Sequence, residues 1–193
     1  MMQRNMVLFL IAMLCATIFA KLSAPVPSCR DTVFTGKIKM TLSCDSGAMV
    51  YYTTNGTTPG RRSMFAPLGW KFEFDTSVIL KAIAMKRTAP LDPKSTAFDS
   101  SDIVTQSYMK KLSIPKILSL SKTFKDSLAI KIKPPEKNVL IRYTLDGTVP
   151  GQTSAEYKAT IMLKQTTTFR CIATKPGYKD SDILTIEFKK ELN

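Results

Sequence analysis

The chain states one pattern twice. Tyr52-Thr53-Thr54-Asn55-Gly56-Thr57-Thr58-Pro59 returns as Tyr143-Thr144-Leu145-Asp146-Gly147-Thr148-Val149-Pro150, in the same order and at the same spacing. Downstream, Ala82-Ile83-Ala84-Met85-Lys86 aligns with Cys171-Ile172-Ala173-Thr174-Lys175. Ser101-Asp102-Ile103-Val104-Thr105 aligns with Ser181-Asp182-Ile183-Leu184-Thr185. A duplication this long decides the architecture before any chemistry, because each copy carries its own core or shares one with its neighbour. The offset changes between the second and third blocks, so the first copy holds an insertion at Arg87 to Ala97. Pro90 and Pro93 mark that insertion as a surface loop.

After residue 30 the apolar residues recur with period two. Val50, Tyr52 and Thr54 alternate with Tyr51 and Thr53, and Ile141, Tyr143 and Leu145 alternate with Leu140, Arg142 and Thr144. Further strand-like runs cover Ile38 to Leu42, Lys71 to Phe74, Val78 to Met85, Ile103 to Tyr108, Leu128 to Ile132, Thr160 to Leu163, Thr167 to Ala173 and Ile183 to Phe188. Asn55-Gly56 and Asp146-Gly147 are hairpin or tight-turn signals, since these residues tolerate positive φ, and Pro59 and Pro150 end ladder donation beyond them. The pattern predicts an all-β chain of two tandem antiparallel sandwiches, over residues 25–110 and 113–190, joined by a short linker from Lys111 to Pro115.

Arg4 precedes an apolar run from Met6 to Ala20, shorter than the ~20 residues a membrane span needs and ended by a small residue. Residues 1–20 read as a cleaved signal peptide, with no membrane span, and the mature chain is expected outside the cell. An oxidising route lets thiols pair. Cys15 leaves with the leader; Cys29 and Cys44 flank the first strand-like run and are expected to form a disulfide stabilising by about 3 kcal/mol. Cys171 takes the place of Ala82 and reads as a small buried thiol, with an intermolecular disulfide as the alternative.

Lys and Arg number 28 against 15 Asp and Glu, a net charge of +13 that becomes +12 once Arg4 departs. An exported basic chain points to polyanions: acidic or chitin-like polysaccharides, acidic matrix proteins or anionic surfaces, with nucleic acid excluded by location. The lysines are spread over both copies, so a binding face requires folding to gather them.

Histidine is absent, which removes Ser-His-Asp and Cys-His nucleophilic catalysis and most zinc sites. A glycosidase needs two opposed carboxylates in a cleft. Asp45, Glu73, Asp75, Glu136 and Glu156 fall at loop or outward-facing positions, so no catalytic residue, metal or cofactor is expected. Asn55 and Asp146 read as Asx-turn residues rather than ligands. Asp180 and Asp182 fall short of the six to eight oxygens calcium prefers. Asn55-Gly56-Thr57 is an N-glycosylation acceptor. Trp70 and Tyr51, with Tyr157 and Phe65, are candidates for an aromatic platform under a sugar ring. For Trp70 core packing is the favoured reading, because it heads the alternation Trp70, Phe72, Phe74.

Tyr-Thr-x-Asp/Asn-Gly-Thr-x-Pro, then a strand ending Lys-Ala-Ile-Ala or Arg-Cys-Ile-Ala, then Lys-Pro-Gly-Tyr-Lys-Asp-Ser-Asp-Ile, resembles the chitobiase/beta-hexosaminidase C-terminal domain. Tyr143, Asp146, Gly147, Pro150, Ala173, Gly177 and Ser181 sit where that pattern expects them, and the second copy resembles it best. In the first copy Asn55 replaces the aspartate and the insertion displaces the counterpart of Pro176-Gly177. The resemblance implies immunoglobulin- or fibronectin type III-like sandwiches appended to other proteins, with no inherited active site. The expected function is therefore a secreted, non-catalytic structural or binding protein of an extracellular matrix, such as a chitinous or mineralised shell or cuticle. The alternative is a secreted effector recognising a partner protein through sheet edges or loops.

Overall fold

The computed structural model describes residues 21–88, 97–119 and 121–191. The expected leader, with Cys15, and most of the Arg87 to Ala97 insertion lie outside the described residues. Unit 1 comprises β1 (Val26–Pro27), β2 (Val33–Phe34), β3 (Ile38–Ser43), β4 (Met49–Thr53), β5 (Met64–Ala66), β6 (Lys71–Phe74), β7 (Val78–Arg87), β8 (Phe98–Ser100) and β9 (Val104–Lys110). Unit 2 comprises β10 (Lys116–Ile117), β11 (Thr123–Phe124), β12 (Leu128–Ile130), β13 (Ile132–Lys133), β14 (Leu140–Thr144), β15 (Ala155–Glu156), β16 (Ile161–Leu163), β17 (Thr167–Thr174) and β18 (Leu184–Lys190).

The units share one topology. A sheet ordered β1-β3-β6 faces a second ordered β2-β9-β7-β4-β5, with β8 added to β7. In unit 2 the order β11-β18-β17-β14-β15 repeats the larger sheet, while β10-β13 and β12-β16 repeat the smaller one, whose middle strand is parted at Lys131. The sandwiches are not wholly antiparallel: β2 joins β9, and β11 joins β18, in parallel.

Period-two patterning fills each interior. Met40, Val50, Leu80, Ala82 and Tyr108 cluster in unit 1, and Ile130, Ile141, Phe169, Cys171 and Phe188 in unit 2. Ala82 and Cys171, aligned in the repeat, are both fully buried, and burial pushes the Cys171 thiol up to about 12. The third repeat block has a concrete job. Ser101 Oγ accepts from Ala84 N–H at 2.9 Å and donates to Asp102 O. Ser181 does the same for Ala173 N–H, at 2.9 Å, and for Asp182 O. One buried hydroxyl thus satisfies a strand amide in each copy.

Two expectations are corrected. The cysteine pair does not form: β1 lies on β3 with Val26 opposite Ser43 and Pro27 opposite Leu42, and Ser28 N–H donates to Thr41 O. That register sets Cys29 beside Met40, four residues and about 13 Å of strand from Cys44, well past the ~7 Å a disulfide spans. Both thiols are free. Trp70 does not enter the core but is 54% exposed, because Pro67 to Trp70 is a turn closed by Trp70 N–H to Pro67 O and the alternation starts after it. Of the hairpin or tight turn expected at Asn55-Gly56 the chain takes the tight turn, since β5 begins only at Met64; Gly56 N–H donates to Ile79 O, stitching the turn to β7.

Candidate functional site

The repeated motif builds the same turn in both units. Asn55 Oδ1 accepts from Thr57 N–H at 3.1 Å and Thr57 Oγ1 at 2.7 Å; Asp146 Oδ1 accepts from Thr148 N–H at 3.0 Å and Thr148 Oγ1 at 2.6 Å. The Thr148 hydroxyl, then its amide, hold the Asp146 carboxyl below its usual range. Thr53 and Thr144 hydroxyls reach forward to the carbonyls of Thr57 and Thr148. Pro59 and Pro150 then turn inward and are buried, and the following residues pass along the outer face of the larger sheet.

In unit 2 this arrangement leaves an open groove of about 620 Å³. Its floor is the outer face of β14 and β17, where Leu140 opposes Thr174 and Arg142 opposes Ile172. One wall is Pro150, Gly151 and Gln152 and the other is Lys175, Pro176 and Asp180, with Asn138 at one end. Arg142 is oriented by a 2.8 Å hydrogen bond from Nη1 to Ser154 O. Beside it, Arg170 faces outward on β17 with its Nε buried and without a hydrogen-bond partner. The walls and floor therefore offer apolar patches interleaved with amide, hydroxyl, ammonium and guanidinium donors.

The equivalent place in unit 1 is lined differently. Registers set Met49, Tyr51, Ile83 and Met85 where unit 2 has Leu140, Arg142, Ile172 and Thr174. Arg61, aligned with Gln152, lies 5.3 Å over the ring of Phe98 and bridges the two walls. Ile83 beneath is only 7% exposed.

Lys175 also belongs to the joint between the units. Glu136 accepts from Lys110 at 2.8 Å and from Lys175 at 2.6 Å, and both ammoniums lie close to the Tyr178 ring. Hydrogen bonds from Lys110 and Lys175 hold the Glu136 carboxyl below its ordinary value, and Glu136 in turn raises Lys175. The expected linker is pinned: Leu112 N–H donates to Lys179 O, Lys179 N–H to Lys110 O, and Lys111 binds both oxygens of Asp182 at 2.7 Å.

The other residues singled out in the sequence are dispersed. Glu73 pairs with Lys37 and Lys39, Glu156 with Lys158, and Asp45 accepts from Ser23 N–H. Among the described residues no group of three or more His, Cys, Asp or Glu is placed to hold a metal ion. Tyr51 and Phe65 sit opposite on β4 and β5 with ring centroids 6.1 Å apart. Trp70 lies on the turn leading into β6, in the other sheet. Asn55 is exposed, beside a groove of about 500 Å³ between the units that Ile79 and Tyr178 also line. The groove residues Arg142, Gln152 and Lys175 were not singled out from sequence. The available signal was Arg142, a charge in a strand whose repeat partner is Tyr51.

Residues 31–95 match the family model for the chitobiase/beta-hexosaminidase C-terminal domain, and residues 130–188 match the model described as Fn3 associated. The expectation that the second copy lies nearest the chitobiase pattern is thus reversed; the Tyr-Thr-x-Asx-Gly-Thr-x-Pro turn is common to both copies and does not discriminate between them. No curated protein matches the chain. Among solved structures, a chain from the complex of the mouse coronavirus receptor-binding domain with its murine receptor is 10% identical with a TM-score of 0.33, covering 86% of this chain and 100% of that one. Murine CEACAM1b is 10% identical with a TM-score of 0.33, covering 86% and 98%. The fibronectin(III)-like modules of Clostridium thermocellum CbhA are 13% identical with a TM-score of 0.29, covering 86% and 94%. The chain is a tandem of two β-sandwich units of one topology, in which residues 31–95 match the model of the chitobiase/beta-hexosaminidase C-terminal domain and residues 130–188 the model described as Fn3 associated.

Proposed function

We propose that the protein is a secreted, non-catalytic binding component of an extracellular matrix that holds a segment of acidic or chitin-like polysaccharide in the groove of unit 2. The observation that carries this reading is the open groove over β14 and β17, with Leu140, Ile172 and Pro150 for the apolar faces of sugar rings and Arg142, Gln152 and Lys175 for hydroxyls and carboxylates. The test is calorimetric titration with oligouronates and chito-oligosaccharides. Arg142→Ala removes a charge-assisted hydrogen bond of about 1.5–3 kcal/mol and is expected to weaken binding of the preferred oligosaccharide roughly tenfold to a hundredfold. Unaltered affinity in Arg142→Ala, or no binding of any oligosaccharide at millimolar concentration, removes the groove from consideration.

A second reading has its own support. β5 is the edge strand of the larger sheet in unit 1, and Met64, Phe65, Leu68 and Trp70 around it are each more than half exposed. Such an apolar edge suits a partner protein that adds a strand. Salt separates the two: a charged glycan contact weakens as ionic strength rises, whereas an apolar protein contact persists.

A further inference from the structure

We propose that the outer face of the smaller sheet of unit 2 is a second contact surface, for a linear sulfated or carboxylated polysaccharide, separate from the groove on the larger sheet. Lys116 on β10 lies directly opposite Lys133 on β13, and Lys131, where the middle strand is parted, points out of the same face. Like charges directly opposite in a sheet repel and destabilise it. No carboxylate on the described residues pairs with any of the three. Glu136, three residues beyond Lys133, is already held by Lys110 and Lys175.

The first copy supplies the comparison. Ile117 opposite Ile132 corresponds to Pro27 opposite Leu42, and Leu128 opposite Leu163 corresponds to Ile38 opposite Phe74. By these registers Lys116, Lys131 and Lys133 stand where unit 1 has Val26, Thr41 and Ser43. Met162 and Lys164 stand where unit 1 has Glu73 and Asp75. On the unit 1 face Glu73 binds Lys37 at 2.5 Å and Lys39 at 3.6 Å. The unit 2 face has lost both acids and, although Ser127, Ala129 and Thr160 replace Lys37, Lys39 and Lys71, carries lysines at four other positions of the same scaffold, so the charge is not a requirement of the fold. A flat array of unpaired ammoniums, two on one strand and one across from them, fits anionic groups spaced along an extended chain.

The test uses the full chain and a sulfated polysaccharide such as dextran sulfate, immobilised, with retention measured from low to physiological salt. Each lysine at an anionic surface is worth about fivefold in affinity, so Lys116→Gln/Lys131→Gln/Lys133→Gln is expected to lose roughly 100-fold. The control triple Lys37→Gln/Lys39→Gln/Lys71→Gln changes net charge equally and is expected to lose far less. Because Lys116 and Lys133 repel each other, the unit 2 triple is expected to melt at or above the temperature of the unaltered chain, which separates lost binding from lost folding. Equal losses in the two triples overturn the proposal. So does stronger retention on anionic phospholipid vesicles than on the polysaccharide, or the finding that Arg142→Ala alone abolishes retention, which would assign the contact to the groove.

Discussion

Gly147 and Gly177 share a backbone conformation, φ +78°, within the same unit, yet differ in what surrounds them. A Cβ on Gly177 would meet nothing within 4 Å, whereas one on Gly147 would lie 3.1 Å from Thr168 Cγ2 and 3.2 Å from Thr168 Cβ. Gly177→Ala therefore costs only the left-handed strain of an L-residue, about 1–2 kcal/mol. Gly147→Ala adds a contact several tenths of an ångström inside the ~3.5–4.0 Å carbon optimum. Thr168 is β-branched and sits in β17, tied to Asp146 by a bridge, so it gives way poorly. Overpacking of this kind adds about 1–3 kcal/mol. In a domain this small each kcal/mol moves the melting temperature by ~4–8 °C. Gly177→Ala should lower the unit 2 transition by roughly 4–16 °C, and Gly147→Ala by at least as much again. Differential scanning calorimetry of the full chain resolves this, with the unit 1 transition as internal reference. If Gly177→Ala destabilises as much as Gly147→Ala, the turn is not seated against β17 as described.

Three further outcomes follow from the structure. Glu136 has its carboxyl depressed below 4.5 by Lys110 and Lys175, so its contribution to the joint is complete above that value and is lost as pH falls through the folded value; Lys175, raised above 10.5, contributes fully below 10.5 and loses its hold only above it. Small-angle scattering should show the joint loosening in acid below pH 4.5, and Glu136→Gln should already show that loosening at pH 6; an identical acid profile in that variant contradicts the assignment. Cys171, pushed up to about 12, should resist thiol reagents at pH 8 until the chain is unfolded, and non-reducing peptide mapping should find no Cys29–Cys44 bridge. Tyr108, with its hydroxyl 3.0 Å from Cys29 O, aligns with Phe188 of unit 2, so Tyr108→Phe should fold and cost about 1 kcal/mol in the unit 1 transition, while a loss of several times that would mean the ring position itself had changed.

What was legible in the sequence was whatever a short stretch of backbone enforces by itself. Period-two alternation places Ile141 inward and Arg142 outward whatever else the chain does, and the Asn55 and Asp146 turns close through bonds to residues two positions on. The misreadings concern a partner far along the chain in one case and a turn read as strand in the other. Cys29 and Cys44 look near because 15 residues separate them, but the pairing register of β1 on β3 decides the distance, and a few residues of register are enough to part them. Trp70 looks like the head of an alternating strand, but the turn at Pro67 to Trp70 ends the alternation one step short of it. The groove was invisible for a related reason: its floor comes from β14 and β17 and its walls from two loops, and no single segment carries enough of it to announce a site.

The duplication explains why the two copies could part company without losing the fold. The positions that agree between copies do local structural work: the Asx turn, the inward proline after it, the buried serine on a strand amide, and the small residue at Ala82 or Cys171. The differences that set the copies' exposed faces apart lie on the outer faces of the sheets, where a substitution changes stability little. On the larger sheet Arg61 lies over Phe98 in one copy, while its counterpart Gln152 lines an open groove in the other. On the smaller sheet Glu73 pairs with Lys37 and Lys39 in one copy, while Met162 takes its place in the other. The joint through Glu136 then fixes unit 2's two faces relative to unit 1, so that a ligand engaging Lys175 in the groove competes with the carboxylate that holds the units together. An anionic saccharide that occupies the groove should therefore loosen the joint, whereas a neutral one of the same length should not, and scattering curves recorded with each would separate the two.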